Sequence, residues 1–118
     1  MLSRHGSLEC AILGALWNLE QDGIYTNSVK DVYEILANSN QEKRAYTTIK
    51  TVMDRLHDKK ILLRYKDGKK FYYRTVYSKN EIITKSLVEI ANRYCNGKLN
   101  SLTSVLNELL EEKYLDNV

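Results

Sequence analysis

Residues 46–76 read YTTIKTVMDRLHDKKILLRYKDGKKFYYRTV, and they contain the clearest secondary-structure pattern in the chain. The apolar side chains of residues 46–59 recur at i, i+3, i+4 and i+7, the spacing of one buried helix face: Ile49, Val52, Met53 and Leu56. Two strand-like segments, residues 61–66 and 71–76, then flank Asp67-Gly68, a pair that favours a hairpin with a type I′ turn. These residues therefore predict a helix followed by a β-hairpin.

Further helices are predicted on both sides of this stretch. Residues 7–19 carry apolar side chains at helical spacing, with Ser7 as the N-cap and Cys10 within the buried face, and residues 27–38 repeat the pattern after a loop or short strand at Ile24–Tyr25. Helices are also expected at residues 79–96, ended by Gly97, and at residues 99–115. The order predicts a mainly α protein with a small β-hairpin wing, a winged helix-turn-helix followed by a C-terminal helical segment.

Positive charge is concentrated in the middle of the chain. Residues 42–74 contain 11 of the 18 Lys and Arg side chains but only 4 of the 15 Asp and Glu side chains, although the whole chain carries a net charge of only +3. Such a block is typical of a surface that binds a polyanion. On charge alone, an ordinary solvated basic surface explains it equally well.

The exposed face predicted for the third helix favours DNA as that polyanion. This face presents Thr47, Thr48, Lys50, Thr51, Asp54 and Arg55. β-Branched threonines are poor helix formers, so a face selected only for stability would carry other residues, whereas short hydroxyl side chains can approach base edges closely. The tip of the predicted wing carries Lys66, Lys69 and Lys70, which suit contacts to phosphates. The alternatives are a solvated helix face and a solvated hairpin tip.

The last two predicted helices carry apolar stripes that they cannot bury by themselves. The stripes are Ile83, Leu87, Ile90 and Tyr94 in one helix and Leu102, Val105, Leu106 and Leu109 in the other. A second copy of the chain would cover both stripes, so a homodimer is predicted. The chain is accordingly divided into a winged-helix DNA-binding domain at residues 1–77 and a helical dimerisation segment at residues 78–118.

Residues 45–56, AYTTIKTVMDRL, resemble the signature of the penicillinase repressor family, which also contains methicillin-resistance and copper-responsive repressors (BlaI/MecI/CopY type). The similarity continues through the wing and back to Leu16-Trp17 in the first helix, covering residues 8–80 closely and 81–110 more loosely. It implies a winged-helix transcriptional repressor with a helical dimerisation segment. Because a two-fold dimer places two recognition helices on one face of DNA, the predicted target is a pseudo-palindromic operator in double-stranded DNA. By this resemblance Thr47, Thr48, Thr51 and Arg55 face the DNA, and Lys69 lies in the wing.

The sequence also departs from the family pattern. The family usually has glycine where Lys60 stands, so either Lys60 adopts a left-handed conformation, at a cost on the order of 1 kcal/mol, or the helix ends differently here. The C-terminal CxC pair of the copper-responsive branch is absent, which argues against copper sensing. The β-lactam branch is cleaved at an Asn-Phe bond, and this chain has Asn107-Glu108 in a similar context. An inducer or a regulatory protease is therefore implied but not identified.

Other classes of function find little support in the sequence. His5 and His57 have no partner motif, and no phosphate loop, metal motif or paired cysteines are present, so we expect no enzyme activity, no cofactor and no metal. No membrane partner and no export signal are expected, and the protein is predicted to be cytoplasmic. The remaining alternative is a winged-helix protein–protein interaction module without sequence-specific DNA binding, which would present an apolar or acidic third-helix face.

Overall fold

The structure, a computed structural model, describes residues 6–39 and 43–112. Its elements, in chain order, are helices α1 (Ser7–Gln21), α2 (Val29–Ala37) and α3 (Tyr46–Asp58), strands β1 (Leu62–Asp67) and β2 (Lys70–Thr75), and helices α4 (Lys79–Tyr94) and α5 (Leu99–Glu111). The two strands pair as an antiparallel hairpin. The predicted fold class, a winged helix with a C-terminal helical segment, is confirmed. The predicted end of the last helix at residue 115 lies outside the described residues.

The helix starts are set by local hydrogen bonds to orphan backbone N–H groups. In α2 the Ser28 hydroxyl accepts from the Asp31 N–H at 3.2 Å, and the Asp31 carboxylate accepts from the Ser28 N–H at 2.9 Å. Ser78 and Glu81 repeat this capping box at the start of α4. The N-cap of α1 is Gly6 rather than the predicted Ser7, and its N–H donates to the Glu9 carboxylate.

The hydrophobic core lies between α1, α2 and α3 and is closed by the hairpin. Its most deeply buried apolar side chains are Ile12, Leu13, Leu16, Val32, Ile49, Met53, Leu56, Leu62 and Tyr73. Tyr73 lies in β2 between the half-buried Tyr72 and the exposed Arg74, and it is the side chain by which that strand enters the core. The expectation that Cys10 would be buried is wrong, because it lies on the exposed side of α1, away from Ile12 and Leu16.

The turn of the hairpin differs from the prediction by one residue. Asp67 pairs with Lys70, so the two-residue loop consists of Gly68 and Lys69 instead of Asp67 and Gly68. Within the loop only Gly68 has a positive φ, 65°. Glycine with positive φ at the first central position is the pattern of a type II′ turn, whereas type I′ would need positive φ at both positions.

Residues with a left-handed backbone conformation, that is, with positive φ, follow α3 and α4. Lys60, just after α3, has a φ of 64°, so the left-handed alternative is the correct one. Its N–H donates to the His57 carbonyl, and the Ile61 N–H donates to the Leu56 carbonyl, which turns Ile61 into the core. After α4, Asn96 adopts a left-handed conformation before Gly97 does, so the glycine predicted to end this helix shares that role.

Helices α4 and α5 contact each other and extend the molecule. The principal extents are 51 × 29 × 26 Å, and the Cα radius of gyration is 16.7 Å, against about 13 Å expected for a compact chain of this length. No helix within the described residues is long and apolar enough to cross a membrane.

Candidate nucleic-acid interface

The outer face of α3 carries the residues that the sequence predicts to contact DNA. The side chains of Thr47, Thr48, Lys50, Thr51 and Arg55 are all exposed, because the opposite face of the same helix is anchored in the core. The Thr51 hydroxyl donates to the Thr47 carbonyl at 2.9 Å. The hydroxyl oxygen therefore remains available as an acceptor, and the methyl group remains available for apolar contact.

The hairpin places a second group of exposed cations beside α3. Lys66, Lys69 and Lys70 are exposed around the turn. Behind them the Phe71 ring lies 4.5 Å from the guanidinium carbon of Arg64 and 5.8 Å from the Lys66 ammonium. These cation–π contacts hold long basic side chains against the wing, which lowers the entropy that they lose on binding an anion.

A cleft of about 270 Å³ lies between α3 and the wing, and α2 begins at its edge. It is lined by Ser28, Val29, Lys30, Tyr46, Lys50, Lys69, Lys70, Phe71 and Tyr73. Four of these nine residues are lysines, and the start of α2 adds the positive end of its macrodipole, although the carboxylates of Asp31 and Asp54 offset part of this charge. The sequence prediction missed the contribution of α2, although the Ser28–Asp31 capping box and Lys30 mark its start in the sequence.

Asp54 joins α3 to both strands of the hairpin. Its carboxylate accepts from the Tyr73 hydroxyl at 2.7 Å, from the Arg64 guanidinium at 3.3 Å and from the Lys50 ammonium at 3.0 Å. The sequence prediction placed Asp54 on the exposed face with the DNA-contacting residues. That placement is wrong, since the side chain is only 30% exposed and turned toward the wing. The i, i+4 spacing of Lys50 and Asp54 was the available signal for one of these contacts.

Opposing influences act on the ionisation of Asp54 and Tyr73. Burial raises the pKa of Asp54, but the hydrogen bonds from Tyr73 and Lys50 and the charges of Lys50 and Arg64 outweigh it and lower the pKa overall. Burial and the hydrogen bond to Asp54 raise the pKa of Tyr73 to about 12. At neutral pH the pair is therefore a carboxylate and a neutral phenol, so the Tyr73 O–H donates.

The hairpin is also tied to the segment before α2 and to the end of α1. The Tyr73 N–H donates to the carbonyl of the buried Asn27 at 2.8 Å, and the Tyr65 hydroxyl donates to the Tyr25 carbonyl at 3.2 Å. The Glu20 carboxylate accepts from the Thr75 N–H and from its hydroxyl. Residues 24 and 25 form a loop rather than a strand, and a single bridge between Asn27 and Tyr73 takes the strand's place.

Helices α4 and α5 expose most of the apolar stripes for which the sequence predicts a dimer interface. Ile83, Leu87, Ile90 and Tyr94 are exposed on α4, as are Val105 and Leu106 on α5, while Leu102 and Leu109 are half-buried. Val88, Leu99 and Leu110 are exposed as well. Within the described residues these apolar side chains are left largely uncovered.

The remaining titratable side chains include the possible metal ligands and the two histidines. Within residues 6–39 and 43–112, no group of three or more His, Cys, Asp or Glu side chains could hold a metal ion. His57 is half-buried, and its Nδ1 lies 3.5 Å from the Asp58 carboxylate. His5 lies outside the described residues.

The comparisons with known proteins agree with this architecture. Residues 5–117 match the family model described as penicillinase repressor. Two relatives, each named transcriptional regulator BlaI, come from Mycobacterium tuberculosis strains CDC 1551 / Oshkosh and ATCC 25618 / H37Rv, and each is 32% identical over 88 residues. That match covers 75% of this chain and 59% of each relative, so the chain spans about three fifths of their length. Because the family model covers nearly the whole chain, this protein belongs to the penicillinase repressor family.

Proposed function

We propose that this protein represses transcription by binding, as a homodimer, to a pseudo-palindromic operator in double-stranded DNA. The observation that carries the proposal is the surface formed by α3 and the wing, where exposed threonines lie beside a cleft lined by four lysines. Membership of a repressor family supports the same conclusion. The relatives named above are transcriptional regulators by name.

In this proposal α3 enters the major groove and the wing follows the adjacent backbone. Thr47, Thr48 and Thr51 lie in the early turns of α3, so they come closest to base edges and thymine methyl groups. Lys50 and Arg55 reach guanines or phosphates from the same face. Lys66, Lys69 and Lys70 contact phosphates, which positions the helix but reads no sequence.

The second copy of the chain covers the apolar surface of α4 and α5. Single leucines are unremarkable on a surface, but two adjacent helices that each expose several large apolar side chains are typical of an interface. Residues 1–77 then act as the DNA-binding domain and residues 78–118 as the dimerisation segment. A two-fold dimer presents two α3 helices on one side of the duplex, about one helical turn or a small multiple apart, which is why the operator should be pseudo-palindromic.

The assignment of α3 as reader and the wing as clamp is tested with two alanine variants on a duplex selected from a random pool. Thr51→Ala should weaken the selected duplex by on the order of 1–3 kcal/mol and a scrambled duplex very little. Lys69→Ala should weaken both duplexes by similar factors and reduce the salt slope by about 0.9 for the lost phosphate contact. Both affinities are measured across a salt series.

Lys85→Ala is the matched control, because Lys85 is exposed on α4 and lies outside the proposed surface. It should change neither preference nor salt slope. If the wild type selects no sequence, the protein–protein interaction module becomes the better explanation. If Lys69→Ala alters the preferred sequence while Thr51→Ala weakens all duplexes equally, the two roles are reversed. Footprinting should give two symmetric half-sites.

A further inference from the structure

The contacts of Asp54 are not explained by the proposed DNA surface alone. An acidic side chain beside a phosphate-binding face opposes binding, yet this one makes hydrogen bonds to three segments of that face. Resting on the proposed function, we propose that Asp54 is a positioning residue. It fixes the wing relative to α3 and thereby sets how strongly the protein distinguishes its operator from other duplexes.

The first support is the geometry of Tyr73, the main link between the wing and the body. Its ring is 1% exposed in the core, its N–H is bound to Asn27 at 2.8 Å, and its hydroxyl is bound to Asp54 at 2.7 Å. The residue is therefore held at its backbone, at its ring and at its hydroxyl. A buried phenol that lost its acceptor would leave a donor unsatisfied, so the wing is stabilised in the one position that keeps this bond.

The second support is that Asp54 holds groups on both sides of the cleft. Lys50 and Tyr73 both line it, one from α3 and one from β2, and Asp54 bonds to each. Arg64 adds a bond from β1, and this guanidinium also stacks on Phe71, another residue of the cleft. The carboxylate therefore sets the separation between the reading helix and the wing lysines.

That separation matters for sequence discrimination. A helix seated on base edges and a wing seated on phosphates can bind together only where the groove has a matching width, and groove width depends on sequence. A wing held rigidly penalises mismatched duplexes, whereas a wing that moves can adapt to any of them. The negative charge of Asp54 adds a small penalty on every duplex and neutralises part of the Lys50 charge, which also limits binding to random DNA.

The test compares Asp54→Asn with Asp58→Asn in the full chain. Both remove one negative charge from α3, but Asp58 is 79% exposed and lies 3.5 Å from its neighbour His57, so it controls for charge. Asp54→Asn should lower the ratio of selected-duplex to scrambled-duplex affinity roughly tenfold. Asp58→Asn should change both affinities by the same small factor. Tyr73→Phe removes one bond of the same link and should lower the ratio in the same direction.

Amide hydrogen exchange without DNA provides an independent measurement. Exchange in β1 and β2 should accelerate in Asp54→Asn and Tyr73→Phe but not in Asp58→Asn, while α1 stays protected in a folded variant. An unchanged affinity ratio in folded Asp54→Asn protein overturns the inference. If the wild type prefers no duplex, the proposed function fails. The exchange data then decide the positioning role: faster exchange supports it, and unchanged exchange overturns it.

Discussion

The winged-helix body, residues 7–77, and the α4–α5 segment, residues 79–111, contain similar fractions of apolar residues but bury them to very different extents. In the body, Ile12, Leu13 and Leu16 of α1 and Ile49 and Leu56 of α3 are fully buried in the core that the hairpin closes. In the segment only Ile82 and Ala91 are buried, while Tyr94 is 74% exposed and Leu110 is 61% exposed. The periodicity of the sequence is similar in both regions, so what differs is the number of elements available to cover each stripe.

This contrast separates stability that one chain can supply from stability that needs a partner. Fully burying one such side chain contributes about 1.5–3 kcal/mol, and the body realises that contribution within a single chain. The α4–α5 segment realises it only when another surface covers the stripe. The stability of the body should therefore depend little on protein concentration, whereas the stability of the α4–α5 segment should depend on it strongly.

The largest effect should come from charging the centre of the exposed stripe. Leu87→Glu combined with Leu106→Glu should convert a dimer into monomers of 13.7 kDa, because carboxylates cannot be buried across an apolar interface without a large cost. Light scattering at micromolar concentration measures this. Asn92→Glu with Ser104→Glu, which adds the same charge to exposed positions off the stripe, should leave the dimer intact. A wild type that is already monomeric would contradict the homodimer.

A leucine-to-alanine substitution in each region tests whether burial of the side chain needs a second chain. Leu56→Ala, at a side chain with 0% exposure, should lower the free energy of unfolding by about 2–5 kcal/mol at every protein concentration. Leu106→Ala, at 51% exposure, should cost little at nanomolar concentration and more at high concentration, where a partner covers it. Thermal unfolding over a concentration series distinguishes them. Equal, concentration-independent losses would show that the segment is not an interface.

The link between the wing and α3 predicts a dependence on alkaline pH in the body. Because the pKa of Tyr73 is raised to about 12 in the folded chain from an ordinary value of 10.0, the folded state retains a proton that the unfolded state loses between these values. Stability should therefore fall as pH rises from 10 to 12, by up to about 2 kcal/mol from this residue. The Tyr73→Phe variant should be less stable than the wild type at pH 8, and its free energy of unfolding should change less with pH above pH 10. The free energy of unfolding is measured by denaturant titration at each pH, and the same pH dependence in both proteins would contradict this explanation.

A small gain is expected at the turn that follows α3. Lys60→Gly should raise the free energy of unfolding of the body by about 1 kcal/mol, because glycine adopts the observed φ of 64° without the steric cost of a Cβ. Arg55→Gly, at an exposed position inside α3, is the opposite control and should destabilise by a similar amount. Denaturant titration measures both. A loss of stability in Lys60→Gly would mean that the lysine side chain contributes more than its backbone costs.

Local patterns in the sequence were enough to predict the order of the helices and strands. The i, i+3, i+4, i+7 spacing identified α1, α2 and α3, and Asp67-Gly68 identified the hairpin. The exposed face of α3 followed from the same spacing, so its threonines could be named as candidate DNA contacts. The register of the turn was missed because Asp-Gly fits two alternatives that differ by one residue. Cys10 was misplaced because a cysteine is compatible with either side of a helix.

Contacts between residues far apart in the chain could be learned only from the tertiary structure. Asp54 lies among polar residues of α3, and the adjacent sequence does not indicate that the hydroxyl of Tyr73, 19 residues later, donates a hydrogen bond to it. The cleft likewise needs α2, α3 and the wing to meet before its lysines become neighbours. Helical and strand periodicities are local properties of the chain and can be read along it, whereas a hydrogen bond between two elements depends on the packing of the core that brings them together.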